Sequence, residues 1–144
     1  MRITREVDYA FRICAYLAEH EGDVVGAPRI AADQKVPERF TLRILRKLNL
    51  AGITEAKRGA TGGYKLKRKK EDITLYDIIV AVDGPIVVNR CLYMDEPYCN
   101  RNEDGNFGHC KFHNKLSSIQ NSVIEMFRSS RRIYIKSNEE TVIL

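Results

Sequence analysis

The stretch Pro37-Glu38-Arg39-Phe40-Thr41-Leu42-Arg43-Ile44-Leu45-Arg46-Lys47-Leu48 decides the fold that this chain predicts. Four of its apolar residues recur at the spacing of one helix face: Phe40, Ile44, Leu45 and Leu48. Pro37 cannot continue a preceding helix, so a turn must separate this helix from the one before it. We therefore predict an amphipathic helix from Glu38 to about Leu50 that follows a tight turn.

Two helical patterns precede that turn. Apolar residues at helical spacing predict a first helix over residues 5–20, with Thr4 as its N-cap and Cys14 on its buried face. A second, short helix is expected over Pro28–Gln34, because proline is tolerated in the first turn of a helix. Helix, short helix, turn and helix is the order of a helix-turn-helix, whose last helix enters the DNA major groove.

A β-hairpin is predicted directly after the third helix. Residues 53–56 and 64–67 alternate apolar and polar side chains, and the basic, glycine-rich segment 57–63 between them suits a turn. Two further helices are expected, over residues 75–82 and 111–132. The predicted fold class is mainly α with a small β-hairpin: a winged helix-turn-helix plus a long C-terminal helix.

Charge is distributed unevenly along the chain. Residues 1–70 contain 16 Lys and Arg against 8 Asp and Glu, a net charge of +8. Residues 71–144 contain 8 Lys and Arg against 11 Asp and Glu, a net charge of −3. A basic N-terminal half indicates a polyanionic partner, because neutralising phosphates releases counterions. A basic surface that is merely solvated would show the same bias.

The helix after the turn and the tip of the hairpin carry the residues expected to contact double-stranded DNA. An arginine such as Arg39 or Arg43 can pair bidentately with guanine, and Arg58 at the hairpin tip suits a minor groove. The predicted DNA-binding set comprises Arg2, Thr4, Glu38, Arg39, Thr41, Leu42, Arg43, Arg46, Lys47, Lys57, Arg58, Gly59, Gly62, Gly63 and Tyr64.

Other functions fit this half of the chain less well. The glycines between Gly59 and Gly63 lie within a hairpin rather than between a strand and a helix, which argues against a nucleotide site. We find no nucleophile and base at a catalytic spacing, and therefore predict that the protein is not an enzyme. A winged helix can also bind protein, but the basic charge favours nucleic acid.

Three cysteines and a histidine cluster in a polar, glycine-containing stretch: Cys91, Cys99, Cys110 and His113. Residues 94–108 show no apolar periodicity, so this stretch cannot become ordered by burying itself. A metal ion or an iron–sulfur cluster would order it, because thiolates and imidazole are the ligands of both. Cys110 and His113 are three residues apart, a spacing that places both on one face of a helix.

Three alternatives to an iron–sulfur cluster remain open. Zinc accepts three cysteines and a histidine, although the short Cys-x2–4-Cys pairs of zinc sites are missing here. Two of the cysteines could form a disulfide as a metal-free redox switch. The stretch could also have no metal function. We rank the iron–sulfur cluster above zinc, and zinc above the other two.

The chain is expected to lie in the cytoplasm. Its 144 residues contain no apolar run of the roughly 20 residues that span a bilayer, and the N-terminus has no apolar signal-peptide core. We therefore predict no membrane partner. Cysteines in the cytosol are usually thiols or metal ligands rather than disulfides.

Several motifs in the chain resemble the Rrf2 family of bacterial regulators, of the IscR and NsrR type. The matching segments are residues 2–4, 8–10, 37–48, 51–53, 77–79 and 82–84, together with the pattern Arg58-Gly59-x-x-Gly62-Gly63-Tyr64-x-Leu66. The resemblance extends to about residue 132. It implies a homodimeric winged-helix transcription factor that binds a roughly palindromic DNA operator. We expect a repressor, and an activator stays open, because the position of the operator relative to the promoter decides between the two.

The resemblance also implies a division of the chain. Residues 1–83 would form the winged helix-turn-helix DNA-binding domain, residues 84–113 a cluster-binding loop, and residues 114–144 the dimerisation helix and tail. The apolar stripe of that last helix is narrow and nearly heptad, which independently predicts that it pairs with a second copy.

Family members that sense through a cluster use three cysteines and one further ligand, which here implies Cys91, Cys99 and Cys110. The fourth ligand would be either His113, as in [2Fe–2S] members, or Asp8 of the partner subunit, as in [4Fe–4S] members. Both residues are present, and we favour His113 and a [2Fe–2S] cluster because that histidine is local. The gaps of seven and ten residues between the cysteines exceed the family's usual five and five.

Overall fold

The computed structural model describes residues 2–93, Cys99 and residues 109–131. Within those residues the chain forms α-helices and one two-stranded antiparallel sheet. The elements are α1 (Arg5–Glu19), α2 (Ala27–Gln34), α3 (Glu38–Leu50), β1 (Thr54–Lys57), β2 (Gly63–Leu66), α4 (Leu75–Asp83) and α5 (Lys111–Ser129). This mainly helical order with one hairpin confirms the predicted fold class.

Local signals set the boundaries of the first helices. The Thr4 hydroxyl accepts a hydrogen bond from the Val7 backbone N–H at 3.2 Å and caps α1 as predicted. α2 ends at Lys35, whose φ of 51° is left-handed and turns the chain sharply. Pro37 then serves as the N-cap of α3. These residues produce the tight turn of the helix-turn-helix.

The hairpin is tied to the loop before α2. Thr54 pairs with Leu66 and Lys57 with Gly63 across the two strands. Tyr64 also exchanges two backbone hydrogen bonds with Val25, at 2.9 and 2.8 Å. β2 is therefore hydrogen-bonded along both edges, to β1 on one side and to Val25 on the other. Each strand lies within one residue of its predicted position.

The core lies where α1, α3 and α4 meet. Its fully buried members include Ile13, Leu17, Ile44, Leu45, Leu48 and Ile78. Cys14 is also fully buried there, and burial raises the pKa of its thiol to about 12. Cys14 is thus an uncharged core residue, as its position on the apolar face of α1 predicted. Phe40, expected on the inner face of α3, is instead 38% exposed.

The end of α5 packs against its own domain. The Leu75 backbone N–H at the start of α4 donates to the Ser130 carbonyl at 3.0 Å. Ile124 and Phe127 pack against the core, and the Arg128 guanidinium lies 4.5 Å from the centre of the Tyr76 ring. The C-terminal half of α5 is therefore fixed to α4 and the core.

The other apolar face of α5 is exposed. Phe112, Ile119 and Met126 are 66%, 44% and 69% exposed and follow one another at intervals of seven residues. The helix ends at Ser129 rather than Arg132, and the tail beyond Arg131 lies outside the described residues. None of the helices in the described residues is both long and apolar enough to cross a bilayer.

Candidate nucleic-acid interface and cysteine site

The outer face of α3 presents most of the residues that were predicted to read DNA. Its exposed members are Glu38, Arg39, Leu42, Arg43 and Arg46. α3 is preceded by the tight turn at Lys35–Pro37 and packs on α1, α2 and α4 through its opposite face. The basic side of the helix is therefore free to enter a major groove, which accommodates one helix with its side chains.

Two residues of the predicted set on α3 face the protein instead. Thr41 is fully buried, and its hydroxyl donates to the Pro37 carbonyl at 3.3 Å. The Lys47 ammonium donates to the Val82 carbonyl at 2.8 Å and lies 2.9 Å from a Glu6 carboxylate oxygen. Thr41 is placed wrongly in the predicted DNA-binding set, because its side chain has no access to solvent. Lys47 joins α3 to α1 and α4.

A contact that the sequence did not reveal links α1 to the outer face of α3. Glu6 Oε1 lies 3.1 Å from Arg43 Nε, and Glu6 Oε2 lies 3.2 Å from Arg43 Nη2. The helix dipole alone explains an acidic residue in the first turn of α1, so nothing in the pattern pointed to Arg43. A carboxylate in two hydrogen bonds to one guanidinium is the geometry of a strong ion pair.

The N-terminal residues of the predicted set lie beside α4. The Thr4 hydroxyl donates to Asp83 Oδ2 at 2.8 Å, in addition to its role as the cap of α1. Arg2 is exposed. Thr4 therefore has two structural contacts, while the Arg2 side chain remains accessible to a phosphate.

The tip of the hairpin is exposed and basic. Lys57, Arg58 and Gly59 are open to solvent, as a wing that contacts DNA requires. Gly62 and Gly63 are required by the fold, because a Cβ at either position has no space. A Cβ on Gly62 would collide with the Lys57 carbonyl oxygen, and one on Gly63 would lie 2.5 Å from the Val25 carbonyl oxygen. Close backbone approach at the hairpin therefore requires both glycines.

Tyr64 completes the wing. Its side chain is half-buried and packs against the core, while its backbone bonds to Val25. Tyr64 therefore anchors the hairpin to the rest of the domain. The predicted role of Tyr64 in DNA binding stays a prediction.

The cysteines of the candidate metal site are thiols of intermediate exposure. Cys91 lies in a short 3₁₀ helix, Arg90–Leu92, and its sulfur accepts from Asn89 Nδ2 at 3.5 Å. Cys110 is the N-cap of α5, where its sulfur accepts from the His113 backbone N–H at 3.5 Å. Cys99 is a free cysteine that is only partly exposed.

The ligand types of Cys91, Cys99, Cys110 and His113 fit an iron–sulfur cluster. The described residues do not bring these side chains together into one site. Thiolates and an imidazole are ligand types that such clusters use, and the three thiols are partly exposed. Among the described residues, however, no three His, Cys, Asp or Glu side chains are close enough to share a metal ion. Of the predicted ligands, Cys110 and His113 lie at the start of α5, as its N-cap and its third residue.

Asp8, the alternative fourth ligand, lies on an outer face of α1. Its carboxylate is 59% exposed and forms an ion pair with Arg12 at 3.2 Å. The Arg12 guanidinium also donates to the Gln34 carbonyl at 3.1 Å and lies 4.7 Å from the centre of the Tyr9 ring. Asp8 is thus accessible from outside the protomer, which is what a ligand shared between subunits requires.

Comparisons with known proteins agree with this architecture. The profile of the Rrf2 family, described as "Iron-dependent Transcriptional regulator", matches residues 3–131. Protein aau3 of Rhizobium meliloti is 33% identical over 99 residues, which cover 69% of this chain and 64% of that protein. The chain therefore spans slightly less than two thirds of the length of this relative.

CymR is similar in both sequence and structure, and IscR is similar in structure. CymR of Bacillus subtilis, an HTH-type transcriptional regulator, is 32% identical over 98 residues, 67% of this chain and 71% of CymR. The structure of CymR, the global cysteine regulator of B. subtilis, has a TM-score of 0.67 at 27% identity over 90% of this chain and 92% of that chain. T. potens IscR has a TM-score of 0.67 at 23% identity, covering 90% and 82%, and supports the fold alone.

The family match extends over both the winged helix-turn-helix and α5, and so confirms the resemblance that the motifs indicated. The family is one of transcriptional regulators, which agrees with the prediction that the protein is not an enzyme. From the ordered helices, the hairpin and this match together, the chain belongs to the Rrf2 family of transcriptional regulators.

Proposed function

We propose that the protein is a homodimeric repressor that binds a double-stranded DNA operator in the cytoplasm. The observation that carries this proposal is the exposed basic face of α3, with Arg39, Arg43 and Arg46, on the same domain as a basic wing tip. A recognition helix with a wing is a common way to combine contacts to bases with contacts to phosphates. The charge of +8 in residues 1–70 supports attraction to DNA.

A dimer accounts for the exposed face of α5. Phe112, Ile119 and Met126 form an apolar stripe with intervals of seven residues, which is the repeat of a pair of helices that wind around each other. Another side of α5 is already occupied by its own domain through Ile124 and Phe127. Two-fold pairing through the stripe would present two α3 helices to two half-sites of an operator.

An iron–sulfur cluster is the proposed control element. Cys91, Cys99, Cys110 and a fourth ligand, His113 or Asp8 of a second copy, would hold it, and a [2Fe–2S] cluster is favoured. The family description as iron-dependent and the three partly exposed cysteines support this assignment. Bound there, the cluster would supply a redox-sensitive and iron-sensitive group. The protein's own part is to fix Cys110 and His113 at the start of α5.

The test is to purify the protein without oxygen and to record its visible spectrum, its iron, sulfide and zinc content, and its DNA binding. We expect iron and sulfide with the absorption of a cluster, and an operator affinity that changes when the cluster is removed. A coupling of about 1–3 kcal/mol would alter that affinity about 5- to 150-fold. A colourless, iron-free protein with unchanged affinity after cysteine substitution would refute cluster control.

A regulator of the same fold without iron is the second candidate. The similarity to CymR, the global cysteine regulator of B. subtilis, favours it. In that case zinc or a reversible disulfide among Cys91, Cys99 and Cys110 would replace the cluster. One zinc ion per chain, or a disulfide found by mass spectrometry after mild oxidation, would identify this form.

A further inference from the structure

The side chain of Arg43 is held on two sides by residues of its own protomer. Glu6 binds the edge formed by Nε and Nη2, with distances of 3.1 and 3.2 Å. The Phe40 ring packs against the guanidinium, whose central carbon lies 4.8 Å from the ring centre. Tyr9 in turn packs edge-on against Phe40, with ring centres 6.2 Å apart. The guanidinium is therefore oriented before any DNA is bound.

The carboxylate that holds Arg43 is itself fixed. Glu6 is only 17% exposed, and its Oε1 also lies 2.9 Å from the Lys47 ammonium. Lys47 is anchored in turn to the Val82 carbonyl at 2.8 Å. Glu6 thus sits between two cations on successive turns of α3, and little freedom remains for its side chain.

This arrangement leaves a defined part of Arg43 for a ligand. A guanidinium has five N–H donors, and Glu6 uses those of its Nε–Nη2 edge. The end-on edge, formed by Nη1 and the second N–H of Nη2, is the remaining pair that can bind two acceptors in parallel. The Arg43 side chain is 54% exposed, so this edge can be reached from the solvent. Guanine O6 and N7 in the major groove are such a pair of acceptors.

We propose that Glu6 is a specificity-determining residue, which acts from α1 by aligning Arg43 for a guanine in the operator. This inference rests on the proposed DNA binding. It adds that a residue of α1, outside α3, contributes to the choice of base pair. A free arginine can bind phosphate or base in many orientations, whereas an arginine clamped along one edge presents its remaining edge in one orientation, which favours a bidentate contact with an acceptor pair at a fixed position. The role of Glu6 is therefore selectivity for one base pair rather than general affinity.

The experiment starts from duplexes that the full-length protein selects from a random pool. Equilibrium binding is then measured with the preferred duplex and its single base-pair variants. Arg43→Ala first identifies the position that Arg43 reads. We expect Glu6→Gln to lower the preference at that same position by about fivefold or more and to change preferences elsewhere little. In an Arg43→Ala background, Glu6→Gln should have no further effect on preference.

The matched control is Glu19→Gln. Glu19 is an exposed carboxylate at the other end of α1, and its replacement should leave every base preference unchanged. Glu6→Asp keeps the charge but withdraws the carboxylate by one methylene, and should relax the same position. This second variant keeps the test valid if Glu6→Gln unfolds, and circular dichroism confirms that each variant is folded.

Three results would overturn the inference. Glu6→Gln could change affinity for all duplexes by one factor, which would mean that Glu6 acts on overall charge or masks Arg43. The base preferences could be identical to those of the unmodified protein. Finally, the unmodified protein could select no duplex at all, in which case the proposed function fails as well, whereas the first two results leave that function intact.

Discussion

The Cys110 sulfur accepts a hydrogen bond from the His113 backbone N–H at 3.5 Å, so the residue proposed as a metal ligand is also the N-cap of α5. The cap and the metal ligand require different properties of the side chain at position 110. Serine caps helices well but is a poor ligand for iron, whereas alanine does neither. The position therefore allows the structural role to be separated from the metal role.

We predict that Cys110→Ser loses iron while its thermal stability in the metal-free state stays close to that of the unmodified metal-free protein. Cys110→Ala should lose iron as well and should be less stable than Cys110→Ser by about 1 kcal/mol, the usual value of a helix cap. Iron analysis and thermal unfolding of the metal-free proteins provide the comparison. Full iron content in Cys110→Ser would exclude Cys110 from the ligand set.

Gly63→Ala should destabilise the wing by about 2 kcal/mol or more, because the added Cβ meets the Val25 backbone at 2.5 Å. Gly59→Ala is the matched control, since Gly59 also has a positive φ, of 110°, but its Cβ would have no atom within 4 Å. Both variants carry backbone strain, and only Gly63→Ala adds the collision. Urea unfolding curves for the two variants should differ by the cost of that collision, and equal curves would contradict this account of Gly63.

Ile119→Lys should convert the proposed dimer to a monomer, because it places a charge in the centre of the apolar stripe on α5. Sedimentation analysis over a range of protein concentrations measures the change. Asn121→Lys is the control, since Asn121 is also exposed on α5 but lies off the stripe. A dimer that withstands Ile119→Lys would show that the stripe is not the dimer contact.

The stability of the protein should fall between about pH 9 and pH 12 in a way that depends on Cys14. Burial raises the pKa of this thiol from 9.0 to about 12, so the folded state keeps a proton that the unfolded state loses above pH 9. The stabilisation from Cys14 is therefore complete below pH 9 and is lost as the pH rises toward 12. The slope for one proton is at most about 1.4 kcal/mol per pH unit.

Cys14→Ala removes this group and provides the reference. We expect the difference in unfolding free energy between Cys14→Ala and the unmodified protein to shrink as the pH rises from 9. All other residues are common to both proteins, so their contributions cancel in the difference. A difference that does not vary with pH would show that Cys14 is not buried as a neutral thiol.

The elements that could be predicted from the sequence are those set by signals between residues close together in the chain. The apolar spacing in α3, the turn at Pro37 and the alternation in the hairpin are local signals, and each produced an element within a few residues of its observed position. The division of the apolar residues of α5 between a face that packs on the core and a face that is exposed could not be predicted from the sequence. Phe127 packs on the domain while Met126 is exposed, and only the position of α4 decides which of the two faces inward.

The features of the structure that could not be predicted from the sequence depend on contacts between residues far apart in the chain. The bridge between Val25 and Tyr64 joins single residues 39 positions apart and has no periodic pattern. The pairing of Glu6 with Arg43 likewise depends on how α1 crosses α3, which composition does not encode. For the cysteines, the residue types indicated the ligand chemistry, but the path of a loop without apolar periodicity cannot be derived from its sequence. That part of the prediction, between residues 94 and 108, lies mostly outside the described residues.

The hydrogen bond between Ser130 and Leu75 has a mechanical consequence. α5 is a rod of 19 residues, about 28 Å long, with Cys110 at one end and its attachment to α4 at the other. The far end of α4 is joined to α3, because the Val82 carbonyl accepts from Lys47. A change in the tilt of α5 at Cys110 would thus be transmitted through α5 and α4 to α3. It would alter the angle at which the arginine-bearing face of α3 approaches the DNA.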